Sequence, residues 1–141
     1  MTPVMQSKLY AKDGIHNGNC LAACLASLLD LPLWMVPPFE DMFGRKDHWD
    51  RPDEWLERVF NLEMVRVGGH PVEELPEFYI ACGPGKRGVH HAVIYSNGVL
   101  VHDPHPSGDG ILSVETCEYL EPMSEAKIKM AQHRVKQKAA S

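Results

Sequence analysis

The first nineteen residues are mostly polar, with no helical or strand period, and Asp13-Gly14 and Asn17-Gly18-Asn19 mark them as a turn-rich loop. At Cys20 the pattern changes. CLAACLASLL, residues 20–29, contains Ala, Leu and small residues without Gly or Pro, so it predicts a helix, and one that is apolar on nearly every side and therefore buried. Asn19 is placed to cap that helix through its side-chain oxygen, and Asp30-Leu31-Pro32 stops it. LPLWMVPPFEDMFG then sets Pro32, Pro37 and Pro38 among large apolar groups, which predicts a short helical turn and an apolar cover. A second helix opens with Asp50 as N-cap and Pro52 in its first turn. It turns Trp55, Val59 and Phe60 inward and ends at Asn61.

Beyond Asn61 the period falls to two. Strands are predicted over 63–67, 78–82, 89–95, 99–102 and 114–120, with Asn97-Gly98 as a hairpin turn between the third and fourth. Helices first and strands after, joined by short turns, predict an α+β domain with an antiparallel sheet over residues 1–123. From Ser124, as cap, residues 124–141 predict a basic helical tail in which Lys127, Lys129, Arg134, Lys136 and Lys138 face solvent.

Composition narrows the functional classes. With 141 residues, 44% hydrophobic and 23% charged, the chain is long enough for one domain with its own core. A net charge of -5 argues against a protein that mainly grips nucleic acid or an anionic membrane. No apolar run approaches the ~20 residues of a membrane span, and the N-terminus lacks an export signal, so a cytoplasmic setting is expected. Cys20, Cys24, Cys82 and Cys117 have neither CxxC spacing nor the density of a disulfide scaffold, and free thiols are expected.

Among them Cys20 stands out, because a thiol at the start of a helix meets the positive end of the macrodipole, which favours thiolate. Cys24, one turn deeper, reads as core. A nucleophilic thiol needs a base, and the base needs an acceptor on its other nitrogen. Both are offered by His90-His91 early in one strand and by His102-Asp103-Pro104-His105 at the end of the next. A metal site drawn from these histidines with Asp103 and Cys82 is the weaker alternative, since adjacent strand residues point to opposite faces and no HExxH or CxxC occurs. No metal or other cofactor is therefore expected. The loop at 83–88, GPGKRG, lacks the spacing and hydroxyl of a phosphate loop and reads as a mobile segment at the mouth of the site.

The arrangement of Gly18-Asn19-Cys20 with the helix behind it, of His91-Ala92-Val93-Ile94-Tyr95 and of Val101-His102-Asp103-Pro104 resembles the papain-like cysteine peptidases. It is most similar to the bacteriocin-leader (double-glycine) peptidases and the small papain-like proteins of phage and prophage, with NlpC/P60 amidases as fold relatives. The resemblance implies Cys20 as nucleophile, His91 as general base and Asp103 as its orienter, acting on a peptide or protein substrate. It also implies a glutamine in the oxyanion hole. Gln6 is fourteen residues before Cys20, farther than the family spacing, so Asn17 or Asn19 is the alternative. A strict two-residue turn at Asn97-Gly98 would set Ala92 opposite Asp103 and put His90 on its face, whereas a bulge reverses the parity in favour of His91, the family position. His90, Trp34 and His105 are expected to line the cleft. The function implied is thiol hydrolysis of an amide, peptide or isopeptide bond. Transglutaminase or deamidase chemistry at the same triad, or a silent binding module, are the competing readings.

Overall fold

The computed structural model describes residues 1–9, 18–40, 42 and 52–140, the side chains of 134–140 excepted. The expected turns at Asp13-Gly14 and Asn17, the N-cap Asp50, and the side chains of Arg134, Lys136 and Lys138 lie outside the described residues. Among the described residues the architecture is α+β: three helices of nine residues or more and an open five-stranded antiparallel sheet. The helices are α1 (Cys20–Leu29), α2 (Pro52–Phe60) and α3 (Glu125–Ala140). The strands are β1 (Leu62–Gly68), β2 (Tyr79–Pro84), β3 (His90–Ser96), β4 (Val99–His102) and β5 (Thr116–Pro122), in the spatial order β1-β5-β2-β3-β4.

The apolar α1 packs on β3, and every residue from Leu21 to Ser27 is buried. Its partners on the sheet are Ile80, Cys82, Ala92 and Ile94, which form one core with Leu21, Cys24, Leu25 and Leu56. The other face of the same strands carries a second core of Tyr79, Ala81, Val93 and Cys117. β2 and β3 are thus covered on both sides, which is why their sequences run apolar without strict alternation. Within α2, Trp55 and Phe60 pack partly buried against the core as expected, but the fully buried residue is Leu56 and Val59 is 58% exposed, because the 3.6-residue period puts Leu56 and Pro52 on the stripe toward β1. Ser124 caps α3 as its sequence predicts, its Oγ accepting the Lys127 N–H at 3.2 Å.

Asn97 and Gly98 both adopt left-handed φ, 54° and 81°, the geometry of a two-residue hairpin turn. The pairing that follows does not stay in register. Ser96 lies opposite Val99 and Tyr95 opposite Leu100, but Ile94 lies opposite His102, so Val101 is an inserted bulge residue. The last strand begins at Thr116, two residues later than expected, because residues 112–115 follow the β2 edge irregularly. Leu112 N–H donates to Pro84 O at 2.7 Å and Glu115 N–H to Cys82 O at 2.8 Å.

Between those two bonds Ser113 passes so close to Gly83 that a Cβ there would sit 1.8 Å from the Ser113 carbonyl oxygen. Backbone cannot yield as a side-chain tip can. Gly83→Ala should therefore destabilise the fold by about 1–3 kcal/mol, the usual cost of forced overpacking. Thermal or urea unfolding checks this; an unchanged midpoint would refute the close approach.

Candidate functional site

The first nine residues form a strap over the C-terminal half of α1 and the end of β4. Thr2 N–H donates to Ser27 O, Val4 N–H to Ser27 Oγ, and Gln6 N–H to Pro104 O, at 3.0 Å each. His102 Nε2 meets Val4 O at 2.7 Å, so that ring serves the strap. Asn19 continues the work. Its Oδ1 accepts the N–H groups of Ser7 and Lys8 at 3.1 and 3.0 Å, and its Nδ2 donates to Ser7 Oγ at 3.0 Å. The expected side-chain cap on α1 is consequently absent, although the Asn19 carbonyl accepts the first helical bond from Ala23. A local helix start and a long-range clip compete for one amide, and the clip offers three bonds to the cap's one.

The cap comes from a residue that sequence reasoning missed. Glu40 is 2% exposed, and its Oε1 accepts the Ala22 N–H at 3.2 Å, a carboxylate at the positive end of α1. The signal for it was a pair of acids, Glu40 and Asp41, inside an apolar, proline-rich run, where an acid cannot be buried without a donor to meet.

Cys20 begins α1 and is half-buried. The backbone N–H groups of Ala92 on β3, of Leu21 and of Cys20 itself lie near enough to its sulfur to favour the thiolate. The helix end does not make it acidic. Burial, the largest influence, and the Glu40 charge outweigh the three N–H groups and push the thiol up to about 12. The expectation that the macrodipole alone would favour thiolate is overturned: desolvation of a small anion exceeds what a few amide dipoles return. Cys24, Cys82 and Cys117 are buried thiols, and all four cysteines are free.

His91 is 2% exposed at the start of β3, and its Nε2 meets Asp103 Oδ1 at 2.7 Å. The β4 bulge brings them together. It moves Asp103 by one position against β3, from the face of His90 to that of His91. His90 points the other way, exposed, with Nδ1 3.9 Å from Glu115. The carboxylate also accepts the N–H of His105 at Oδ1 (2.9 Å) and of Gly110 at Oδ2 (2.8 Å). Burial works to raise the Asp103 pKa, but the bonds from His91, His105 and Gly110 prevail and hold it at about 2. An ionised Asp103 requires the proton on His91 Nε2, so the neutral ring keeps its lone pair on Nδ1. Among the described residues no hydrogen bond joins that ring to Cys20.

Other expected site residues divide. His105 stands at the rim, its ring edge-on to that of His91 with centroids 6.1 Å apart. Trp34 is neither core nor cleft. It is 82% exposed on a one-turn 3-10 helix (Leu33–Met35) beyond the far end of α1, while Val36 and Phe39 take the buried positions there. Ten residues of helix, ~15 Å, separate that end from Cys20. Gln6 lies against Pro104, next to Asp103, but its Nε2 donates to Lys8 O at 2.8 Å, and Asn19 Nδ2 is engaged as above; each has given one amide hydrogen to the strap. Asn17 lies outside the described residues. No cluster of three or more His, Cys, Asp or Glu among the described residues could hold a metal, and no described helix is long and apolar enough to cross a membrane.

The fold and site define an α+β domain with a thiol at a helix start and a buried imidazole–carboxylate pair on the adjoining strands. No family model matches the chain, and no curated protein or solved structure matches it.

Proposed function

We propose that the protein is a thiol hydrolase that cleaves an amide, peptide or isopeptide bond of a peptide or protein, with a papain-like division of labour among Cys20, His91 and Asp103. The observation that carries this reading is the 2.7 Å bond between His91 Nε2 and Asp103, because a buried ionised carboxylate on one ring nitrogen makes the other a base of fixed tautomer and direction. Nδ1 takes the Cys20 proton as the sulfur attacks the substrate carbonyl carbon. The carbonyl oxygen gains the electron pair and takes the Cys20 N–H from the sulfur, since Glu40 and the Asn19 carbonyl hold the next N–H groups of the helix. The imidazolium then gives its Nδ1 proton to the leaving amine as the C–N bond breaks. Water, deprotonated by the same nitrogen, releases the acyl group from sulfur. Asp103 stays ionised throughout and stabilises the imidazolium.

Because burial holds the Cys20 thiol up to about 12, no resting thiolate is available, and the proton has to leave for Nδ1 as the sulfur attacks. The test is a peptide library incubated with the protein, with Cys20→Ser as control and products read by mass spectrometry. New amino termini that depend on Cys20 are expected. Cys20-dependent gains of one mass unit at Gln or Asn, or amine-linked adducts, would instead assign deamidase or transglutaminase chemistry. No Cys20-dependent product of any kind would leave the binding-module reading.

A further inference from the structure

The loop between β2 and β3 carries two cations that are treated differently by their surroundings. Lys86 is matched with Asp109 at 3.9 Å. Arg87, half-buried, has no ion pair among the described residues; its guanidinium donates one hydrogen bond, to Ser107 Oγ at 3.2 Å. Ser107 ties it to the candidate site. The Ser107 N–H donates to His105 Nδ1 at 3.0 Å, and the His105 backbone N–H shares the Asp103 oxygen that holds His91. Because His105 Nδ1 is an acceptor, the neutral ring carries its proton on Nε2. Burial, then the charges of Arg87 and His91, hold its pKa below the ordinary value, so His105 is a neutral donor beside Arg87 and not a second cation.

A guanidinium has a planar fork of donors that matches a carboxylate. Here one prong is fixed by a hydroxyl, which orients the group without neutralising it, and the remaining donors keep their full charge. We propose that Arg87 is a specificity residue of the cleft, and that the preferred substrate carries a carboxylate close to the scissile amide, supplied by an acidic side chain or by a free C-terminus. This rests on the thiol-hydrolase reading, which provides the bond to be cleaved beside His91.

Three affinity labels test it: N-iodoacetyl-glutamic acid α-amide, with a side-chain carboxylate; N-iodoacetyl-glutamine, with a terminal carboxylate; and N-iodoacetyl-glutamine amide, which is neutral. The rate of Cys20 modification is followed by mass spectrometry. At least one anionic label should react about tenfold faster than the neutral one, the scale of one charge-assisted hydrogen bond, and which of the two does so identifies the source of the carboxylate. Arg87→Gln should bring the ratio to about one, and Arg87→Lys should restore part of it, since a point charge attracts without the fork. Labelling that depends on His91 but is blind to charge in the unaltered protein, or a preference that survives Arg87→Gln, would overturn the inference alone. Labelling no faster than in His91→Ala would overturn the hydrolase reading and this inference with it.

Discussion

Alanine at His91 should slow the modification of Cys20 by iodoacetamide at pH 7 by about 10²–10⁴, the range a positioned general base contributes, while alanine at His90 should leave the rate within about twofold. The contrast follows from two features of the site. Burial holds Cys20 as a thiol up to about 12, so almost none of it is thiolate at neutral pH, and reaction must be accompanied by proton transfer. The acceptor with a fixed lone pair is His91, whose Nε2 is committed to Asp103. His90 is exposed and faces Glu115. Mass spectrometry of the Cys20 peptide gives both rates against a Cys20→Ser background, and Cys24 and Cys82, fully buried, contribute little labelling. Equal effects of the two substitutions, or none from His91, would remove the base from the mechanism and leave the triad reading without support.

Removing the Asp103 carboxylate should lower both reactivity and stability, and with a particular pH dependence. Three donors converge on it: His91 Nε2 at 2.7 Å, His105 N–H at 2.9 Å and Gly110 N–H at 2.8 Å. Asp103→Ala leaves all three in a buried setting without an acceptor, a loss of at least about 3 kcal/mol at pH 7. The ring would also lose its fixed tautomer, so Cys20 labelling should fall along with the unfolding midpoint. The carboxyl has a folded pKa of about 2, below its unfolded value, so the stability it adds is present above roughly pH 4 and lost as pH falls toward 2. That part is of the order of 1–2 kcal/mol once solvent screening is allowed for. Asp103→Asn retains an acceptor oxygen and should fold better than Asp103→Ala while lacking this acid-side decline. Urea titrations between pH 7 and 3 decide the matter. A variant with the same acid profile as the parent would show that Asp103 is not held low in the folded protein.

His91 and His90 also show where reading a sequence reaches its limit. Both are visible as strand histidines near an aspartate, and the Asn97-Gly98 turn is legible because two consecutive left-handed residues call for Asn and Gly. Which histidine meets Asp103 depends on the bulge at Val101, a residue whose sequence context differs in no obvious way from a regular strand. One inserted residue reverses every face beyond it, so a small local event with a weak sequence signal decides the chemistry. The cap on α1 went astray for a related reason. Asn19 is a good cap by type, but type does not say which of two backbone partners will claim the amide, and a strap from the N-terminus claimed it.

Local composition and period by themselves determined that residues 20–29 form a buried helix with Cys20 at its start, that β strands follow the helices, and that the hairpin turns at Asn97-Gly98. These features are set by backbone preference and by the apolar pattern over a few neighbouring residues, and packing had only to agree with them. Tertiary structure alone decided the rest. It brought Glu40 to the end of α1, put Trp34 outside the core, set His91 and not His90 against Asp103, and buried Cys20 deeply enough that desolvation overrode the helix end. Each of these depends on groups far apart in the chain and on how much water is excluded between them, quantities that no local pattern encodes.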